Sequence, residues 1–120
     1  MKLYIGGSYQ GKTAYVQQQT GILANKCNYD TAFTAKAINY YHLLVRDLLN
    51  DGLDIEQFTE KLLTDNPDVI IICDEIGMGV VPLDSFNRQW RESVGRSLCR
   101  IAETATDVER IICGIGIKLK

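Results

Sequence analysis

The chain of 120 residues begins with MKLYIGGSYQGKT, in which a short apolar run, Lys2 to Ile5, is broken by Gly6 and followed by Gly11-Lys12-Thr13. The spacing is G-x-x-x-x-G-K-T, and from Lys12 the segment KTAYVQQQ reads as a helix that ends at Gly21. Strand, glycine loop and helix in that order point to the opening unit of a layered α/β sheet. Each residue type has a physical reason to be there. Glycine takes backbone angles closed to other residues and lets amide N–H groups point inward at an anion. The first turn of the helix adds N–H groups without intrahelical partners and the positive end of its dipole. Lys12 is suited to bridging β- and γ-phosphates, and the Thr13 hydroxyl to ligating Mg²⁺. A tight turn with an incidental lysine is the competing reading, but it does not account for the strand–loop–helix context. Gly6, Gly7, Ser8, Tyr9, Gln10, Gly11, Lys12 and Thr13 are therefore the candidate nucleotide-binding residues, with ATP or GTP as the candidate ligand.

The rest of the chain continues the alternation. ILANKCNYDTAFT reads as a strand with a loop. From Ala35 the apolar residues Ile38, Tyr41, Val45 and Leu48 follow helical spacing, with Gly52 as a stop. Asp54 reads as the N-cap of a helix, IEQFTEKLL, that Asn66-Pro67 ends. Val69 to Cys73 (VIIIC) shows no alternation, as expected of a central parallel strand buried on both faces. Asp84 caps a long helix with the apolar line Phe86, Trp90, Val94, Ile101, Ala105, and a last strand spans Arg110 to Cys113. The expected fold is α/β, a mainly parallel sheet flanked by helices in one small domain over residues 1–120, of the P-loop NTPase kind.

Composition narrows the partners. An apolar fraction of 46% and a charged fraction of 23% are ordinary for a globular protein, and a net charge of −2 argues against non-specific nucleic-acid binding. No apolar run is long enough to span a bilayer and Met1-Lys2 leads into no signal-peptide core, so a cytoplasmic location is expected. Cys27, Cys73, Cys99 and Cys113 form no C-x-x-C pair and share a single histidine. They read as reduced, structural thiols, Cys73 and Cys113 as small hydrophobes within apolar runs. A sheet this thin gains from subunit burial, which makes a homo-oligomer the expectation.

The second candidate constellation is VIIICDEIGMGVVP. A buried strand that delivers Asp74 and Glu75 at its carboxyl end puts acids where ligands bind in open α/β sheets. Asp74 and Glu75 are, with Lys12, the candidate catalytic residues, and Asp74 with Thr13 the candidate Mg²⁺ ligands. The alternative is that either acid caps a turn or pairs with an arginine of the next helix. On that helix Arg88, Arg91, Arg96 and Arg100 read mainly as a solvated face, with Arg91 and Arg96 as possible phosphate contacts. Gly95 in mid-helix suggests close packing or approach of a ligand.

Three blocks, GGSYQGKT, EIGMGVVP and WRESVGR with the terminal CGIGIKLK, resemble the adenosylcobinamide kinase/adenosylcobinamide-phosphate guanylyltransferase family of cobalamin biosynthesis. The resemblance covers a little over half the chain. It implies a RecA-like sheet in a cytoplasmic, often trimeric enzyme that phosphorylates the aminopropanol hydroxyl of adenosylcobinamide from a nucleoside triphosphate. That family then transfers GMP from GTP through a guanylylated histidine. It further implies that Gly6, Gly7, Gly11, Lys12 and Thr13 hold the triphosphate, and that Glu75 with Gly77, Met78, Gly79, Val80 and Pro82 shapes the acceptor side. The likeness fails between the two glycine loops, where full-length members carry several tens of further residues, including the guanylylated histidine. His42 lies at the margin of the stripe Ile38, Val45, Leu49 and reads as a packed amphipathic side chain, so guanylyl transfer is not assigned to it. Gln10 stands where the family usually has serine, Asp74 where it has asparagine, and Leu98-Cys99 where it has Asn-Gln. The reading is a shortened relative with kinase activity; the alternative is a non-catalytic nucleotide-binding accessory protein.

Overall fold

A computed structural model describes residues 1–76 and 84–120. Its six strands are β1 (Lys2–Gly6), β2 (Asn25–Lys26), β3 (Ala37–Asn39), β4 (Ile70–Asp74), β5 (Asp107–Ile112) and β6 (Ile115–Lys118). They form one sheet in the order β2-β3-β4-β1-β5-β6, parallel throughout except for the β5–β6 hairpin. The helices are α1 (Lys12–Thr20), α2 (Tyr29–Ala32), α3 (Tyr41–Asn50), α4 (Ile55–Asp65) and α5 (Ser85–Thr104). This is the expected mainly parallel α/β architecture, with the glycine loop leaving a strand that has neighbours on both sides.

The sheet separates two apolar layers. One packs Leu3, Ile38, Ile71 and Val108 against α3, α4 and α5 through Leu44, Leu48, Leu62 and Ile101. The other, smaller, sets Tyr4, Ile70, Ile72 and Ile111 against Val16 of α1. Alternate residues of β1 and β4 thus feed opposite layers, which is why VIIIC shows no polar face. Within the larger layer Tyr41, Ser97 and Thr59 form a buried hydroxyl chain, 2.6 Å and 2.8 Å between oxygens, that ends with Thr59 donating to the Ile55 carbonyl. Desolvation pushes the Tyr41 phenol up to about 12, so it stays neutral.

Local signals placed most helix ends. Asp54 accepts from Gln57 N–H and Asp84 from Phe86 N–H, each as an N-cap, and Asn66 is the C-cap of α4. Two expectations are corrected. Ile38 belongs to β3, because the chain turns through Tyr40 in a left-handed conformation (φ 53°) before α3 begins. The strand expected over Arg110 to Cys113 runs from Asp107 to Ile112 and is followed by a further strand, β6, so Cys113 lies in the exposed turn between the two rather than in the core. Cys73 is buried as expected, its thiol pushed up to about 12 by burial. All four cysteines are free. Gly95 is exposed, and among the described residues a Cβ there would meet nothing within 4 Å, so it marks no close packing.

The ends of the chain sit together. Thr106 N–H donates to the Met1 carbonyl (2.9 Å), and Lys120 N–H to that of Val108 (3.2 Å). The Lys120 ammonium caps the last turn of α5 by donating to the carbonyls of Ala102 and Glu103, both at 3.0 Å.

Candidate functional site

Parallel strands β1, β3 and β4 end side by side, and the groups that follow them converge on a cleft of about 510 Å³. Its lining includes Ser8 to Ala14, the turn Asn39-Tyr40, and His42, Leu43 and Asp74. A larger groove of about 640 Å³ lies along α3, α4 and α5, where Arg96 is found. That groove takes in the start of α4, where Asp54 already caps the helix by accepting from Gln57 N–H; the buried lysine and the uncapped helix start lie in the smaller cleft.

Two glycines are required by geometry. A Cβ at Gly6 would stand 2.5 Å from the Ile111 carbonyl oxygen, so only glycine lets β1 and β5 remain paired where the loop departs. Gly11, at φ 82° and ψ 24°, is the residue before α1 and supplies a left-handed turn closed to most side chains. α1 begins with no side-chain cap and no acid in its first turn. Its free N–H groups and dipole therefore face the cleft unneutralised by any local side chain.

Lys12 is buried, with 7% of its side chain exposed, and points back over the loop. Its Nζ donates to the Gly7 carbonyl (2.7 Å) and lies 2.7 Å from Asp74 Oδ1. Ser8 donates to Asp74 Oδ2 at 2.9 Å. Burial raises the Asp74 carboxyl, but hydrogen bonds from Lys12 and Ser8 and the nearby positive charge outweigh it, leaving it below the usual range. Asp74 thus holds, from the end of β4, the position an anionic ligand would take on Lys12.

Two further residues of the cleft were not read from the sequence as site residues. Asn39, buried at the end of β3, donates from Nδ2 to Thr13 Oγ1 (2.9 Å) while its Oδ1 accepts from Tyr40 N–H (2.8 Å). It fixes the threonine hydroxyl. His42 is also buried; its Nδ1 accepts from the Asp74 backbone N–H (3.2 Å) and its Nε2 lies 3.5 Å from Asp74 Oδ2. Trp90 of α5 donates to the His42 carbonyl (2.7 Å) and fixes the start of α3 from behind. Burial pulls the imidazole below its ordinary pKa, Asp74 opposes this and Lys12 reinforces it, so the ring is neutral near pH 7. With Nδ1 occupied as an acceptor, the neutral ring carries its proton on Nε2. Attack by Nε2 on phosphorus would need the other tautomer, which sets two N–H donors against each other.

Glu75 takes a different direction. Its carboxylate meets Arg110 of β5, with Nη2 donating to Oε2 at 3.1 Å. Nε comes within 2.9 Å of Oε1, but its N–H is not aimed at that oxygen, so that contact is purely electrostatic. Glu75, read from the sequence as a candidate catalytic residue with an arginine of the following helix as its alternative partner, pairs instead with an arginine of the sheet. Arg96 pairs with Glu92 on the exposed face of α5, and Arg100 with Glu60 and Glu103. Arg91 sits on the same helix, half-buried. The candidate acceptor loop, Gly77, Met78, Gly79, Val80 and Pro82, lies outside the described residues.

A family model described as cobinamide kinase / cobinamide phosphate guanyltransferase matches residues 41–119. This span takes in His42, Asp74 and the C-terminal hairpin, whereas the glycine loop precedes it. Two relatives, each named bifunctional adenosylcobalamin biosynthesis protein CobU, come from Salmonella typhimurium and Escherichia coli. They are 38% and 36% identical to this chain over 52 residues. The match covers 43% of this chain and 29% of each relative, less than a third of their length.

Proposed function

The chain belongs to the cobinamide kinase / cobinamide phosphate guanyltransferase family, and from that premise we propose that it is a kinase. ATP or GTP binds at the glycine loop, and its terminal phosphoryl group passes to a hydroxyl acceptor, adenosylcobinamide being the one the family implies. A bond forms between the acceptor oxygen and the γ-phosphorus as the bridge to the β-phosphate breaks, and the nucleoside diphosphate leaves. The observation that carries this reading is a buried lysine at an uncapped helix N-terminus, held by one carboxylate. Both the ammonium and the N–H groups are arranged for a polyanion.

Lys12 and the loop amides stabilise charge on the transferring group. Thr13, fixed by Asn39, and Asp74 are suited to Mg²⁺, which prefers one or two protein oxygens completed by substrate phosphates. The described residues hold no group of three or more His, Cys, Asp or Glu side chains that could bind a metal, which fits an ion arriving with the triphosphate. Mg²⁺ would neutralise developing phosphate charge. Asp74, once Lys12 turns to the phosphates, is placed to orient the acceptor hydroxyl. His42 acts as a neutral Nε2–H donor, and its tautomer disfavours a guanylyl-imidazole step. Glu75 serves by fixing Arg110 and the end of β4.

The test is calorimetric binding of Mg²⁺-ATP and Mg²⁺-GTP, followed by phosphorylation of adenosylcobinamide from labelled triphosphate. Lys12→Ala should weaken binding about tenfold to a hundredfold, the scale of a charge-assisted hydrogen bond. Wild-type protein that binds neither triphosphate would sink the proposal. A second reading, a nucleotide-binding accessory protein, draws on the engagement of Glu75 by Arg110, which leaves Asp74 as the sole carboxylate among the cleft-lining described residues. Tight binding without phosphorylated corrinoid would favour it.

A further inference from the structure

The tip of the glycine loop is held in a conformation that it would not adopt alone. Tyr9 is left-handed (φ 59°) with its side chain fully exposed, and Gly11 is left-handed two residues later. A non-glycine residue persists in that region only where its surroundings over-determine it. The surroundings here are the two-residue turn between β5 and β6. Ile112 pairs with Ile115, and Cys113 (φ 50°) and Gly114 (φ 75°) are both left-handed, as a type I′ hairpin turn requires.

Gln10 takes both amide N–H groups of that turn. Its side-chain Oε1 accepts from Cys113 N–H (2.7 Å) and its backbone oxygen from Gly114 N–H (2.8 Å). A Cβ on Gly11 would lie 3.5 Å from Gly114 Cα, so a side chain at that position would pack directly on the turn. The same hairpin is fixed to α1 one turn further on, where Tyr15 donates to Glu109 (2.8 Å).

We propose that Gln10 is a positioning residue of the triphosphate site, a two-pronged staple that holds loop residues 6–11 in their cradle on the C-terminal turn. This rests on the triphosphate reading above. The carboxamide is spent on the turn rather than offered to the ligand, so it acts through the loop amides by removing the need to order them on binding. Serine at this position, the usual residue of the family resembled, has too short a side chain to span the same gap, so the staple is a feature of this chain.

Gln10→Met keeps the volume and the backbone bond to Gly114 but removes the acceptor for Cys113; Gln10→Ala removes the bulk as well. Two measurements are made on wild type and both variants: the affinity for Mg²⁺-ATP, and backbone amide exchange at Cys113 by NMR. The expected result is faster Cys113 exchange in both variants and an affinity about fivefold to tenfold weaker, the loss from one hydrogen bond. The ligand-free melting midpoint should stay within a few degrees of wild type, which a merely structural contact could not reconcile with weaker binding. Equal affinity in wild type and Gln10→Met, with Cys113 exchange accelerated, overturns the staple and leaves the triphosphate reading intact. Wild-type protein that binds no triphosphate overturns both.

Discussion

Replacing Asp74 by alanine probes the charge logic of the cleft directly. The Lys12 ammonium is 7% exposed and, among the described residues, keeps only the Gly7 carbonyl as a hydrogen-bond partner once Oδ1 at 2.7 Å is gone. Removing one member of a buried ion pair costs about 3–5 kcal/mol, because a charge is left uncompensated. Asp74 is 19% exposed, so water can enter the space and partly solvate the ammonium. A cost of about 2–3 kcal/mol is therefore expected in the ligand-free protein. With an unfolding entropy of about 2 cal/mol/K per residue, the chain loses about 0.25 kcal/mol per degree near its midpoint, so the midpoint should fall by roughly 8–12 °C. Inorganic triphosphate in the presence of EDTA supplies the missing negative charge. In wild type it must first displace Asp74 from Lys12, whereas in the variant Lys12 is already available. The variant should bind metal-free triphosphate at least as tightly as wild type and recover most of its midpoint, while added Mg²⁺ should strengthen binding only in wild type. Scanning calorimetry and titration calorimetry read both effects. A ligand-free variant as stable as wild type would refute the buried-pair argument. Loss of metal-free binding on the scale of Lys12→Ala would refute the displacement.

Gly6→Ala should destabilise the protein by about 1–3 kcal/mol, since its methyl group would meet the Ile111 carbonyl oxygen at 2.5 Å and force β1 from β5; urea titration measures this, and an unchanged midpoint would contradict the packing described. Stability should also depend on pH through two groups whose folded pKa values are lowered. Burial holds His42 below the ordinary imidazole value of about 6.5, so the unfolded chain binds the extra proton first and stability declines as pH drops below about 6.5, until the folded imidazole also protonates. Asp74 lies below the ordinary aspartate value, so its contribution is complete above that ordinary value and is lost as pH falls through the lower folded one. Urea titrations at pH 7.5, 6 and 5 should show the upper phase in wild type and not in His42→Gln.

What could be read from the sequence was what is local. The glycine loop, the start of α1 at Lys12, and the caps Asp54 and Asp84 each depend on residues within a few positions of one another. β4 was legible because five consecutive apolar residues leave no solvent face. Ile38 was misread because the spacing 38, 41, 45, 48 satisfies a helical period, and a strand of three buried residues has no alternation to oppose it. Tyr40 in a left-handed conformation separates the two elements, and no rule of composition predicts that for tyrosine. Asn39 and His42 escaped as site residues, and the contact made by Gln10 went unforeseen, for a different reason: their partners are Thr13, Asp74 and the Cys113-Gly114 turn, 26, 32 and about a hundred residues away. Only the strand order, with β4 and β5 flanking β1, brings these together. The motif GKT marked out a candidate site, but the groups packed around it come from topology.

The bonds from Thr106 to Met1 and from Lys120 to Val108 also bear on handling the molecule. Residue 1 precedes the parallel strand β1, and the antiparallel β6 returns to that same pole, so residues 1 and 120 both lie opposite the glycine loop. A peptide handle or fused reporter joined at either end would stand clear of incoming solutes. Protein captured on a sensor surface through such a handle would turn its cleft toward the flowing solution.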